Sequence, residues 1–214
     1  MMPLGDDNSL RKTFPIVTYI LIAINVLFFL AELVGGEDFI MRWAFIPKRF
    51  SANPGGGLPT LLTSMFMHGG WMHLASNMLY LWIFGDNIED RLGKIKYILL
   101  YLLSGIAATL AQYTFFSESN VPNVGASGAI AGVLGAYLLY FPGQNVKVLL
   151  GYSIVEMRSL IVIGFWFFLQ FVSGVGSLYS TADTGGVAYM AHIGGFIAGI
   201  GIALLFRLME PKLN

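Results

Sequence analysis

Long apolar stretches alternate along this chain with short polar connections. Reading for runs of about 20 residues, enough helix to cross a ~30 Å hydrocarbon core, gives six of them: Phe14 to Val34, Phe66 to Gly85, Tyr97 to Phe116, Ser127 to Phe141, Ser159 to Leu178 and Val187 to Phe206. They take up 116 of the 214 residues, which leaves little chain for any separate soluble domain. The pattern predicts an all-α membrane protein. A six-helix core over residues 14–208 follows a short cytoplasmic segment, 1–13, and precedes a cytoplasmic tail, 209–214. The first run lacks a small-residue cleavage pattern and reads as an uncleaved anchor rather than a signal peptide.

Basic residues orient this bundle, because cytoplasmic loops retain Lys and Arg. With six crossings both termini share a side, and that side collects Arg11, Lys12, Arg91, Lys94, Lys96, Lys147, Arg158, Arg207 and Lys212. The other side holds only Arg42, Lys48 and Arg49, all in the first connection. Nine against three puts both termini in the cytoplasm. The first connection, Gly35 to Gly57, mixes Phe39, Trp43, Phe45 and Phe50 with those three basic residues, which suits short interfacial helices bracing the bundle.

Composition narrows the function. The chain is 56% hydrophobic and 11% charged, where a soluble domain carries roughly a quarter charged residues, so a single water-soluble globule is excluded. Twelve basic residues balance twelve acidic ones, and no nucleic-acid partner is expected. The absence of cysteine removes a disulfide framework, a thiolate metal site and a cysteine nucleophile.

Polar groups inside spans are costly and mark function. The second run opens His68-Gly69-Gly70-Trp71-Met72-His73 and reaches Asn77; the fourth opens at Gly125-Ala126-Ser127-Gly128; the sixth carries His192. These runs descend from the external side, so His68, His73, Asn77, Ser127 and His192 fall in one outer layer. The fourth run is short and calls for a wet cavity above Ser127. Small residues spaced as Gly128-x-x-x-Gly132 and Gly195-x-x-x-Gly199 predict close contact between the fourth and sixth helices, which would bring Ser127 to His192. A serine needs a neighbouring base to become a nucleophile, and an imidazole is the usual one. The even-numbered runs contain no Asp or Glu, so the pair would be a dyad. Ser127 opens a helix, and His73 and Asn77 lie one turn apart on one face, so together they can present donors to a developing oxyanion. A zinc site built on the three histidines is a second possibility, although His68 and His73 point apart on their helix and no His-Glu-x-x-His pattern is present.

The combination of His68-Gly69-Gly70-Trp71-Met72-His73 with Asn77, Gly85 with Ile88-Glu89-Asp90-Arg91-Leu92-Gly93, Gly125-Ala126-Ser127-Gly128, and Ala191-His192-Ile193-Gly194-Gly195 with Gly199 resembles the rhomboid intramembrane serine proteases from about Leu58 to Phe206. The resemblance implies a six-transmembrane-helix rhomboid-like bundle. It implies Ser127 as nucleophile, His192 as general base, and His73 and Asn77 as oxyanion donors beside the Ser127 backbone N–H, with no metal and no cofactor. Two features depart from the pattern. Some members have a Trp-Arg pair where this chain reads Leu58-Pro59-Thr60, and some have a Tyr packing on the catalytic imidazole where this chain has Ala131. Something else must orient His192.

The expected activity is hydrolysis of peptide bonds in or near the transmembrane helices of membrane-protein substrates in a lipid bilayer. The expected location is the plasma (cell inner) membrane, with the site opening to the external side. Segments with weak helical propensity should be preferred substrates. The loop from Gly176 to Gly186 suits a lid over the cavity. The alternative is a catalytically silent rhomboid-like protein that binds transmembrane clients; a transporter using the same cavity belongs to that class.

Overall fold

The computed structural model describes residues 2–9, 11–179 and 186–210. Its elements are β1 (Met2–Asp6), α1 (Ile16–Trp43), the short turns α2 (Pro47–Ala52), α3 (Pro54–Gly57) and α4 (Thr60–Thr63), a 3-10 turn (Ser64–Phe66), α5 (Trp71–Leu92), α6 (Lys94–Phe115), α7 (Ser127–Tyr140), β2 (Asn145–Leu150), β3 (Ser153–Arg158), α8 (Ser159–Ser177) and α9 (Tyr189–Leu208). Four described helices, α1, α6, α8 and α9, have both the length and the apolar composition to cross a membrane. The 14 residues of α7 rise about 21 Å, short of a ~30 Å core, and α5 is long but interrupted by polar side chains.

The helices depart from the apolar runs in two places. α1 does not stop at Val34; it bends at Gly36, whose φ of 61° and ψ of −151° only glycine adopts readily, and continues to Trp43. α5 begins at Trp71 rather than Phe66, after the Gly69-Gly70 pair, and extends past Gly85 to Leu92. Its polar last turns are buried by partners instead of facing water. Both Glu89 oxygens accept from the first turn of α1, from the Val17 N–H at 2.9 Å and the Thr18 N–H at 2.8 Å, with the Thr18 hydroxyl at 2.9 Å. A carboxylate from another helix thus caps the free N–H groups that a helix start leaves open. Arg11 pairs with Asp86 at 2.6 Å, and Asp90 accepts from the backbone N–H groups of Lys12 and Thr13.

The chain is not all-α. β1, β2 and β3 form an antiparallel sheet in that order. Val146 and Val148 are fully buried while Asn145 and Lys147 are exposed, the period-2 alternation of a half-buried strand. Val148 opposes Val155 and Val146 opposes Met157, and the β1 pairing from Met2↔Leu149 to Asp6↔Val146 draws the N-terminal segment into the fold. That segment reads as a short stretch outside the bundle because its few residues carry no apolar run. Its register is set by β2, 140 to 147 positions later in the chain. At its end Asp6 accepts from the Tyr137 hydroxyl at 2.6 Å and from the Asn87 amide.

α7 lies at the centre, buried from Gly128 to Tyr137, as befits a helix apolar on every face. It meets α9 backbone to backbone. A Cβ added at Gly195 would stand 2.1 Å from the Gly128 carbonyl oxygen, and one at Gly199 would stand 2.1 Å from that of Gly132. The small-residue faces of the two helices therefore face each other.

Candidate active site

The glycine seam sets the geometry at the N-terminus of α7. Ser127 is the first residue of α7 and His192 lies one turn into α9, and Ser127 Oγ is 2.7 Å from His192 Nε2. The other ring nitrogen, Nδ1, is 2.7 Å from Gln170 Oε1 on α8. A carbonyl oxygen only accepts, so Nδ1 carries the proton and Nε2 is left to accept the serine hydroxyl proton. The Trp166 ring, one turn before Gln170, packs on the imidazole with ring centroids 5.9 Å apart. Gln170 and Trp166 answer what orients His192. Neither is singled out by the sequence pattern, although an amide within the apolar run Ser159 to Leu178 is the signal that could have found Gln170.

The segment before Ser127 is held from the first connection and from the 3-10 turn that follows it. Gly125 donates its N–H to the Ser64 carbonyl at 2.9 Å, Asn123 and Phe45 exchange backbone hydrogen bonds, and Lys48 donates to the Ser119 carbonyl at 3.0 Å. Arg49 ties the short turns to the end of α1 through the Ala44 and Met41 carbonyls. The first connection thus does more than brace the bundle laterally, because it fixes the backbone leading into Ser127. Gly125 has φ of 132°, and a Cβ there would come within 2.9 Å of the His73 ring. Glycine is required for both reasons.

His73 and Asn77 come from α5. A Cβ at Gly125 would be 3.0 Å from His73 Nε2 and 3.5 Å from Ser127 Oγ, so the ring edge of His73 borders the serine. Asn77 is buried and its Nδ2 has no partner among the described residues. A buried amide without a partner is costly, so Asn77 keeps an unused donor at this level of α5. A cavity beside Ser127 is lined by Ser64, Asn123, Gly125, Gly128 and Ala191. Ser127, His192 and His73 are thus brought together, with Asn77 one turn after His73 on α5. His68 takes part differently: it packs on His73 at 5.2 Å between ring centroids, and neither of its ring nitrogens has a partner among the described residues. Among the described residues no group of three His, Cys, Asp or Glu is placed to hold a metal ion. Residues 180–185 of the expected lid lie outside the described residues.

A family model described as the Rhomboid domain matches residues 56–208, well over half of the chain. The chain belongs to the rhomboid family. Among similar rhomboids, Rhomboid protease GluP of Bacillus subtilis is 37% identical over 200 residues, covering 92% of this chain and 36% of that protein. RHOMBOID-like protein 6, mitochondrial, of Arabidopsis thaliana is 32% identical over 152 residues, 71% of this chain and 44% of that one. Rhomboid protease AarA of Providencia stuartii is 30% identical over 173 residues, 71% of this chain and 57% of that one. The chain matches less than two thirds of the length of each of these relatives. The rhomboid family includes intramembrane serine proteases as well as inactive members, and this rhomboid is a membrane protein with several apolar helices.

Proposed function

We propose that this rhomboid is a serine endopeptidase that cleaves peptide bonds in or near the transmembrane helices of membrane-protein substrates. The observation that carries the reading is the pair of 2.7 Å contacts on His192, from Ser127 Oγ on one ring nitrogen and from Gln170 on the other. In this reading the Ser127 hydroxyl gives its proton to Nε2 as the oxygen attacks the scissile carbonyl. The oxyanion is met by the Ser127 backbone N–H at the start of α7, by His73 and by Asn77. The imidazolium then protonates the leaving amine, and a water molecule, deprotonated by the same nitrogen, releases the acyl group from Ser127.

The bundle crosses the membrane six times in this proposal, with α5 and the short α7 as the second and fourth spans and residues 14–208 as the core. Both termini lie in the cytoplasm of a plasma-membrane protein, and the site opens on the external side. The ~21 Å rise of α7 leaves room for water above Ser127, as hydrolysis requires. Substrates are transmembrane helices that unwind near that face.

Wild type, Ser127→Ala and His192→Ala proteins reconstituted in proteoliposomes with a transmembrane substrate test the proposal. Cleavage by the wild type alone, together with labelling of Ser127 by a fluorophosphonate, is the expected result. Cleavage by both variants would refute the dyad. A wild type that binds the substrate, leaves it intact and does not label would identify a silent client-binding protein instead.

A further inference from the structure

We infer that Glu32, on α1, is a positioning residue that fixes the tautomer of His73 through the main chain of residues 68–69; the inference deepens, and rests on, the reading of His73 as an oxyanion donor. Glu32 is 4% exposed, and a carboxyl group buried in an apolar helix is costly unless its oxygens are satisfied. Both oxygens converge on one donor, the backbone N–H of His68, at 3.0 and 3.1 Å. This holds the extended connection between the 3-10 turn and α5 one residue ahead of Gly69. The Gly69 N–H in turn donates to His73 Nδ1 at 3.2 Å.

A backbone N–H has no lone pair to offer, so Nδ1 of His73 must accept. A neutral imidazole accepting at Nδ1 carries its proton on Nε2, the nitrogen that borders Gly125 and Ser127. The opposite tautomer would set two N–H groups against each other at Gly69 and turn a lone pair toward the oxyanion. The link runs through the main chain. The His68 ring makes no hydrogen bond among the described residues and packs edge-on against Phe29 at 6.4 Å between centroids. Phe29 lies about one turn before Glu32, so α1 holds His68 by its ring and by its N–H together. The result is two imidazoles set in opposite tautomers, His192 by Gln170 and His73 by Gly69, one to accept a proton and one to donate a hydrogen bond.

The test is nitrogen NMR of histidine-labelled protein in lipid, with the His73 signals assigned by their loss in His73→Ala, alongside kcat and KM for a transmembrane substrate. Wild type is expected to show His73 as a single Nε2–H tautomer. Glu32→Met, which keeps the side-chain length and removes the acceptors, is expected to give mixed tautomers and about a tenfold lower kcat with KM within twofold. Glu32→Gln, which retains one acceptor oxygen, should restore both. A wild-type His73 protonated at Nδ1 overturns the inference without any variant, as does a Glu32→Met protein whose His73 signals match wild type. If the tautomer follows Glu32 while His73→Ala retains wild-type kcat, the positioning link stands and the oxyanion reading of His73 is what fails.

Discussion

The Ser127–His192 contact depends on two helix backbones touching, and Gly195→Ala is the smallest change that separates them. The Cβ it adds would lie 2.1 Å from the Gly128 carbonyl oxygen, and Gly128 adjoins Ser127. Because that neighbour is backbone in the first turn of a helix, it cannot swing aside as a side chain would. Restoring an ordinary contact of about 3.4 Å moves α9 away from α7 by about 1.3 Å. His192 is one turn before Gly195, so most of that shift reaches the 2.7 Å hydrogen bond and breaks it. A displacement of ~1 Å in a reacting pair costs on the order of 100-fold in rate, and overpacking costs roughly 1–3 kcal/mol of stability. Fluorophosphonate labelling and substrate cleavage in proteoliposomes read the first, and thermal unfolding in detergent reads the second. Gly201→Ala is the control: it lies on the same helix, has nothing within 4 Å of an added Cβ, and should leave activity unchanged while gaining up to about 1 kcal/mol of helix propensity. Wild-type labelling by Gly195→Ala would show that the seam does not set the geometry of the pair.

Three further outcomes are expected. Gln170→Leu leaves the Nδ1 proton of His192 without an acceptor, which costs about 1–3 kcal/mol; kcat/KM should fall roughly 10- to 100-fold with the fold intact by circular dichroism, and an unchanged value would remove Gln170 from the mechanism. Glu89→Ala deprives the first turn of α1 of the acceptor for two buried N–H groups and a hydroxyl and should lower stability by about 2–4 kcal/mol, checked by unfolding in detergent; a loss below ~0.5 kcal/mol would contradict the capping role. Burial raises the Asp6 carboxyl to about 6, outweighing the opposing hydrogen bonds from Tyr137 and Asn87. The folded state therefore binds the Asp6 proton more tightly than the unfolded chain does, so stability is fully present below about pH 4 and declines as pH rises to about 6, by at most about 3 kcal/mol. Asp6→Asn should thus raise the melting temperature above pH 7, with the difference fading below pH 4; a variant that destabilises at pH 8 would show that the ionised carboxylate is favoured.

How far the structure was legible follows from where its signals lie. Runs of apolar residues found every long helix, and α7 falls within one residue of its run, because a span is written in consecutive positions. The sheet was not legible from those runs. β1 pairs with a strand far along the chain, and Val146 and Val148 alternate over too few residues to stand out beside 20-residue spans. The candidate site residues Ser127, His192, His73 and Asn77 are legible because each is a polar or ionisable side chain in an otherwise apolar even-numbered run. Glu32 and Gln170 stand in the odd-numbered runs and reach the same layer from α1 and α8.

In the proposed mechanism, those two residues also explain why a Ser–His pair suffices. A carboxylate in the place of Gln170 would have to be stripped of water beside an imidazole that is itself 9% exposed, and the desolvation of one ion costs several kcal/mol. An amide offers the same acceptor without that cost, and it selects the tautomer by the same rule that a lone pair must face an N–H. What it gives up is charge: an amide stabilises the imidazolium less than a carboxylate would. In the proposed mechanism the task of stabilising the transition state then shifts toward the oxyanion side, onto the start of α7, Asn77 and His73. Under that proposal, fixing the His73 proton on Nε2 matters more here than in a site where a buried carboxylate supports the base.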